Sequence, residues 1–365
     1  MTKPCILVLT AAGKTGMPLA LQLLDEGFPV TAFVRREDAR SERLRAKGAA
    51  IVVGSQTDVH ALRQAMVGVR RAYFNTPLEE GALRSATAFA TVAAGVELES
   101  LVVMSQWLAS PTHPSVHTRE TWLADRLFAL LADTKVTTLN PGFFADNDLT
   151  GLAFAAQFGV LLLPYGSGKN APPSNEDLAR VAAAILARPE GHAGRTYRPT
   201  GRALLSPHDL AAALGRALGR RVRYVDAPIG VFTKVLRGLG LSEFAAAQYA
   251  QYVRDYQRGA FSVNAPTEVV RTLTGREPED FETIARRYVA SSPDAGRGLE
   301  AQLKRMAQLL TWTLRPAPRT APHLALGDFS EADRVSLSAD SAEWRRGHAL
   351  SPSLDVGERS PLDAA

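Results

Sequence analysis

A chain of 365 residues, 46% of them apolar, has material for one large domain or two small ones and for a sizeable core. The formal charge of +5 is modest for this length, and the arginines are scattered rather than interleaved with aromatics in one patch, which argues against direct nucleic-acid binding. The single cysteine, Cys5, excludes a disulfide framework and a cysteine metal cluster. No stretch reaches the roughly 18 apolar residues of a membrane helix, and the N-terminal apolar run is strand-sized rather than a signal peptide, so a soluble cytoplasmic protein is expected.

The stretch Pro4 to Glu37 organises the rest. Cys5 to Leu9 is an apolar run of strand length. A small-residue turn follows, Thr10-Ala11-Ala12-Gly13-Lys14-Thr15-Gly16. Met17 to Glu26 carries apolar residues at helical spacing, and Gly27 stops it. A second strand, Pro29 to Val34, ends in Arg35 and Arg36. This βαβ unit presents a helix N-terminus, whose unpaired N–H groups and partial positive charge suit an anion. Dinucleotide turns carry three glycines; here only Gly13 and Gly16 are present, and Thr10 or Ala11 stands at the first position. Gly13-Lys14-Thr15 also matches the end of a nucleoside-triphosphate loop. That loop needs glycine where Val8 stands, and no later strand ends in a magnesium-binding aspartate. An ordinary turn with no ligand is the third reading. At the end of the second strand an acid would hold a ribose 2′-hydroxyl, whereas arginine suits a 2′-phosphate by bidentate hydrogen bonding. Arg35 and Arg36 therefore favour NADP(H) over NAD(H), unless the pair is only a solvated basic strand end beside Glu37 and Asp38.

Further strands are predicted at Ala49–Val53, Arg71–Phe74, Leu101–Met104 and Val136–Leu139. The helices between them are Ser41–Lys47, one capped by Asp58 and running to Met66, Gly81–Ala94, and Thr118–Ala132. Such alternation means a doubly wound parallel sheet, a Rossmann-like α/β fold. Ligands bind at the carboxyl ends of such strands, so the strand-end peptides Asn75-Thr76-Pro77, Ser105-Gln106-Trp107 and Asn140-Pro141-Gly142-Phe143-Phe144 are candidate walls of a cofactor site. The later chain is more helical. Helices are predicted from Asn175 to Arg188, from Ser206 to Leu218 and through most of Ile229–Ala290, with short strands at Thr196–Pro199 and Val222–Val225. Tyr249, Tyr252 and Tyr256 recur at helical spacing, as core or as pocket lining. Beyond a Ser-Pro-Asp-Ala-Gly-Arg-Gly linker, Leu299–Leu314 is an amphipathic helix, docked on its own domain or facing a partner or membrane. From Arg315 the composition predicts poor order.

With these motifs in place, the chain resembles the NmrA-like family of atypical short-chain dehydrogenases/reductases over roughly residues 5–290. The resemblance rests on Gly13-Lys14-Thr15-Gly16, Val34-Arg35-Arg36, Ser105, the Asn140–Asn147 peptide, Asn175-Glu176-Asp177-Leu178-Ala179 and Leu273-Thr274-Gly275-Arg276 with Phe281. It implies an NADP-binding core over about residues 1–150, a smaller, mostly helical portion over about 151–290 that closes the substrate cleft, and an extension over 291–365. It departs from the family at the missing first glycine, at Asn140 in place of arginine, and at Gly54-Ser55 where relatives often carry Gly-Asp.

Ordinary members of the wider superfamily use a serine and a Tyr-x-x-x-Lys helix, with the tyrosine donating a proton and the lysine lowering its pKa. Counting from Ser105, those positions fall at His117 or Thr118 and at Thr121 or Trp122. Tyrosine and lysine are both absent from Leu108 through Thr134. Ser105 and His117 remain the candidate catalytic residues, His117 as an acid at neutral pH or as a loop histidine without a role. Hydride transfer to a quinone or iminium needs orientation rather than a protein acid. His113, His117, His192 and His208 lack metal-ligand spacing, so no metal is expected. Two functions follow. One is NADP(H)-dependent reduction of a small hydrophobic acceptor, with Trp107 and Phe144 lining its pocket beside Phe143. The other is a non-catalytic NADP(H) sensor acting through a protein partner.

Overall fold

The computed structural model describes residues 3–324, apart from 297, and 336–349. The first half alternates as the periodicity requires. Strands β1 (Cys5–Val8), β2 (Val30–Val34), β3 (Ala50–Val53), β4 (Val69–Phe74), β5 (Ser100–Met104) and β6 (Lys135–Leu139) are separated by α1 (Gly16–Asp25), α2 (Ala39–Ala46), α3 (Val59–Ala65), α4 (Ala82–Ala93) and α5 (Val116–Phe128). Next come α6 (Ala145–Asp148), α7 (Leu152–Phe158), β7 (Val160–Leu163), α8 (Asn175–Ala187) and β8 (Thr196–Tyr197). Then follow α9 (Pro207–Leu218), β9 (Arg223–Asp226), α10 (Ile229–Gly238), α11 (Glu243–Gln257), α12 (Val269–Thr274), α13 (Phe281–Ser291), α14 (Leu299–Leu314) and α15 (Ala342–Ala349).

The main sheet has the order β3-β2-β1-β4-β5-β6-β8, and every neighbouring pair is parallel. Every residue of β2 and β5 is buried, as a parallel sheet covered on both faces demands. On one face α1 and α8 pack Leu19, Leu23, Val181 and Ile185 against Ile6, Val8 and Val102. On the other, Phe74, Phe89 and Phe128 meet edge-on, with ring centroids 4.7 to 5.9 Å apart. The chain order reverses between β1 and β4, which opens the crevice where such sheets hold ligands. The second half builds its own cluster from α7, α9, α11 and the β7–β9 pair.

Three elements differ from the sequence expectation. Helix α5 begins at Val116 rather than Thr118, because the Ser115 hydroxyl accepts the Thr118 N–H at 3.1 Å and caps it. His117 therefore lies in a helical first turn and not in a loop. Strand β7 was not expected; its short apolar run is told from a helix end only by its pairing with β9. The poor order expected from Arg315 does not hold for residues 336–349, where Trp344 is buried at the end of a hydrogen-bonded segment. Of that expectation, residues 325–335 and 350–365 lie outside the described residues. Among the described residues no helix is long and apolar enough to cross a membrane.

Candidate coenzyme and acceptor site

The glycine turn is shaped around one carbonyl. Gly13 N–H donates to the Thr10 carbonyl at 2.7 Å, and a Cβ at Gly16 would lie 2.3 Å from the same oxygen. Thr10 stands where the usual first glycine is missing and takes a left-handed φ of +50°. That costs a β-branched residue about 1–2 kcal/mol. Its hydroxyl answers by donating to the Asn75 carbonyl at 3.2 Å. The N-terminus of α1 carries no side-chain cap and no acid in its first turn. The hydroxyl of Thr15, the residue before α1, donates instead to Asn175 Oδ1 at 2.7 Å. Uncapped N–H groups beside glycines with no room for a Cβ fit a diphosphate. Lys14 reaches over this turn to Asp146 Oδ2 at 2.6 Å. Both contacts tie the turn to segments that follow β6.

At the end of β2 the expected cations carry counter-ions. Arg35 Nη2 donates to both oxygens of Glu79 at 2.7 and 2.8 Å. Arg36 lies 3.9 Å from Asp38. Arg40, which sequence reading missed, donates to the Ala12 carbonyl at 3.1 Å and to Asp38 at 2.6 Å, and this hydrogen bond holds the Asp38 carboxyl down to about 2. Asn75 faces the turn, its carbonyl also accepting from Gln56 Nε2 at 2.9 Å. Thr76 and Pro77 follow it at half-buried positions.

Further along the same carboxyl edge, Ser105 donates to Asp125 Oδ2 at 2.6 Å, and Asn140 Nδ2 donates to the Gln106 carbonyl at 2.9 Å. Gln106 crosses the face of α5 on which a tyrosine and lysine would stand. Its amide donates to Thr121 Oγ1 at 2.9 Å and accepts from Thr118 Oγ1 at 3.0 Å. Pro141 and Gly142 are buried, and Gly142 N–H donates to the Pro199 carbonyl at 3.2 Å. Phe143 is buried against Tyr165, Tyr256 and Phe261, with centroids 5.2 to 6.0 Å away. Beneath it Tyr165 and Tyr256 stack at 4.0 Å. Burial pushes the neighbouring Asp148 carboxyl well above the usual range.

Two site expectations need correction. His117 is buried, edge-on to Phe244, and burial pushes it down to about 4. It is a neutral imidazole at pH 7, not a charged acid. Trp107 does not line an open cleft. It is 1% exposed, because α15 lies over it. Trp344 Nε1 donates to the Trp107 carbonyl at 3.0 Å, and the Trp344 ring stacks on His348 at 3.9 Å. Phe144 is half-buried and packs on the α1–α8 cluster.

Burial pushes Asp125 up to about 7, from 3.8 in an unperturbed chain, with the Ser105 hydroxyl pulling the other way. The fold thus keeps a proton that the unfolded chain releases, and Asp125 costs stability progressively as pH rises from about 4 to 7. His117 acts oppositely in the same range: its neutral form contributes stability present above 6.5 and lost as pH falls toward 4. In Asp125→Asn the first effect disappears. The variant's Tm relative to wild type should rise between pH 4 and 7 and level off above. A difference flat across that window would show a hydrated carboxyl.

Comparison with known proteins fits this geometry. A family model described as NAD(P)H-binding matches residues 10–189. Over 281 residues the chain is 31% identical to a (4-alkanoyl-5-oxo-2,5-dihydrofuran-3-yl)methyl phosphate reductase of Streptomyces griseus, covering 76% of this chain and 95% of the relative. The chain belongs to the NAD(P)H-binding family that this model describes. This NAD(P)H-binding family member is also 29% identical over 291 residues to an NAD(P)H azoreductase of Xenophilus azovorans, covering 78% of itself and 98% of that relative. A solved NADPH-dependent quinone oxidoreductase from Escherichia coli, complexed with NADPH, shares the fold at a TM-score of 0.67 and 22% identity, over 77% of this chain and 99% of that one. Nearly whole relatives are thus matched by about three quarters of this family member, and the rest of the chain lies outside those alignments.

Proposed function

We propose that the chain is an NADPH-dependent reductase of a small, flat, hydrophobic acceptor of the quinone or azo class. The observation that carries this reading is the α5 face, where the Gln106 amide, held by Thr118 and Thr121, replaces a tyrosine–lysine pair on the same carboxyl edge as the uncapped α1 turn. The coenzyme, when bound, supplies the hydride. Gly13, Gly16 and the α1 N-terminus hold its diphosphate, and Arg35, Arg36 and Arg40 grip the 2′-phosphate. Asn75, Thr76 and Pro77 would flank it, and Ser105, Pro141, Gly142 and Phe143 would lie on its nicotinamide side. An acceptor that takes hydride into a delocalised system needs alignment more than a protein acid, consistent with a neutral His117. The azo and quinone activities named for the relatives make the same demand. In this reading residues 1–150 bind coenzyme, residues 151–290 close the acceptor side, and the setting is cytoplasmic.

The test is loss of NADPH absorbance against a panel of quinones, azo dyes, aldehydes and imines. Turnover confined to quinones and azo dyes, and surviving His117→Ala, supports the reading; turnover confined to aldehydes overturns it. Tight NADPH binding with no turnover anywhere favours the second reading, a coenzyme-sensing regulator, to which the absent tyrosine and lysine also point.

The adenosine side makes a sharper prediction. Glu79 sits on Arg35 where a 2′-phosphate would sit, and this exposed pair contributes about 0–1 kcal/mol, so a phosphate can displace it. Arg35→Ala should weaken NADPH binding roughly 10- to 100-fold, the loss of one or two charge-assisted hydrogen bonds, and leave NADH unchanged. Glu79→Gln should strengthen NADPH alone. Equal effects on both coenzymes in calorimetry would remove Arg35 from phosphate recognition.

A further inference from the structure

Helix α14 is held to the body by one face. Trp312 packs over Gly238 of α10, where a Cβ would come within 2.3 Å of the indole. Lys234 Nζ donates to the Thr313 carbonyl at 2.8 Å, and Gln302 Nε2 to the Gln157 carbonyl at 3.3 Å. The opposite face carries Leu299, Leu303, Met306, Leu310 and Leu314, each between 55% and 75% exposed. Their spacing of four, three, four and four residues draws one narrow seam along the helix.

That seam is symmetric about its own middle. Laid antiparallel on a copy of itself, with the two-fold axis between residues 306 and 307, Leu299 meets Leu314, Leu303 meets Leu310, and the two Met306 side chains meet near the axis. We propose that α14 pairs with α14 of a second copy of this chain, as an isologous antiparallel helix pair. Charge favours this partner over a lipid surface. The helix carries only Glu300, Lys304 and Arg305, and Arg305 is half-buried on the inner side beside Gln308, whereas membrane-surface helices are rich in exposed basic residues. Five large side chains amount to roughly 300–600 Å² per copy. A standard interface uses about 800 Å² per partner, so the pair should dissociate on dilution.

The test uses the full chain in sedimentation equilibrium. Wild type should pass from dimer to monomer with dilution. Leu303→Glu with Leu310→Glu should be monomeric throughout at an unchanged Tm, since both side chains already face water. Register is read in a Cys5→Ser background. Leu303→Cys chains mixed with Leu310→Cys chains should cross-link under mild oxidation, and neither should do so alone. A wild type that is monomeric at every concentration overturns the proposal. So does self-cross-linking of Leu303→Cys, or wild-type binding to anionic phospholipid vesicles that the double variant loses.

Discussion

Gly16→Val should abolish useful coenzyme binding in a chain that still folds. The new Cβ would lie 2.3 Å from the Thr10 carbonyl oxygen, 2.9 Å from its carbon and 3.0 Å from Ala11 Cα. All three are backbone atoms, so no side-chain rotation relieves the clash. Thr10 has little freedom to move away, since it already occupies the left-handed region and is tied to Asn75. The turn must open, and the α1 N–H groups then no longer converge on one anion. We expect NADPH to bind at least about 100-fold more weakly, equivalent to about 2.8 kcal/mol. Gly95→Ala is the matched control, because its Cβ would meet only the Val92 carbonyl at an ordinary 3.5 Å. A Gly16→Val protein with native circular dichroism and wild-type NADPH affinity would remove the turn from coenzyme binding altogether.

Trp344→Ala should release the segment that covers Trp107. Truncating a buried tryptophan to alanine costs roughly 3–5 kcal/mol. Other contacts on the segment include Ser336 N–H to the Thr112 carbonyl at 3.0 Å, Ser338 Oγ to the Leu108 carbonyl at 2.9 Å, Ala339 N–H to Asp255 Oδ1 at 2.9 Å, Asn264 Nδ2 to the His348 carbonyl, and the exposed Arg258–Asp340 pair. Loss of that size exceeds what such a local unit holds, so it should open without global unfolding. Residues 336–348 should lose hydrogen-exchange protection, and Trp107 emission should shift to the red. Asp255 will still hold His113 at 2.7 Å, which keeps the loop after β5 anchored. If the chain reduces a bulky acceptor near Trp107, the acceptor KM should change while NADPH affinity does not. Wild-type protection and emission in the variant would show that α15 is not what closes this corner.

Sequence and structure agree where a single local pattern decides the outcome. Alternating strands and helices, the Ser206-Pro207-His208-Asp209 start of α9 and the leucine spacing of α14 are all short-range signals, and each corresponds to an observed element. Gly13, Gly16 and Arg35 stand out in the sequence for the same reason, as short-range signals of a tight turn and a strand end, and the coenzyme contacts expected of them remain part of the proposal. What sequence could not show depends on distant partners. Glu79 is 44 residues from Arg35, so its hold on the guanidinium has no local trace. His117 is neutral because Phe244, on a helix far along the chain, helps bury it. The polar, proline-rich composition after Arg315 suggested a loose tail, yet Trp344 buried beside Trp107, together with hydrogen bonds to Thr112, Leu108 and Asp255, seats residues 336–349. Strand β7 was hidden because four apolar residues mark a helix end as well as a strand.

The place of Cys5 bears on the same chemistry. It begins β1, at the amino end of the sheet, with its sulfur 3.6 Å from the Thr31 hydroxyl. Quinones are electrophiles that add to thiolates, and a nucleophilic sulfur beside the acceptor would be alkylated during work. The chain keeps its one sulfhydryl a full strand length from the carboxyl edge, where the proposed coenzyme and acceptor would meet. If the chain reduces a quinone as proposed, this layout spares it alkylation of its own sulfur over many cycles.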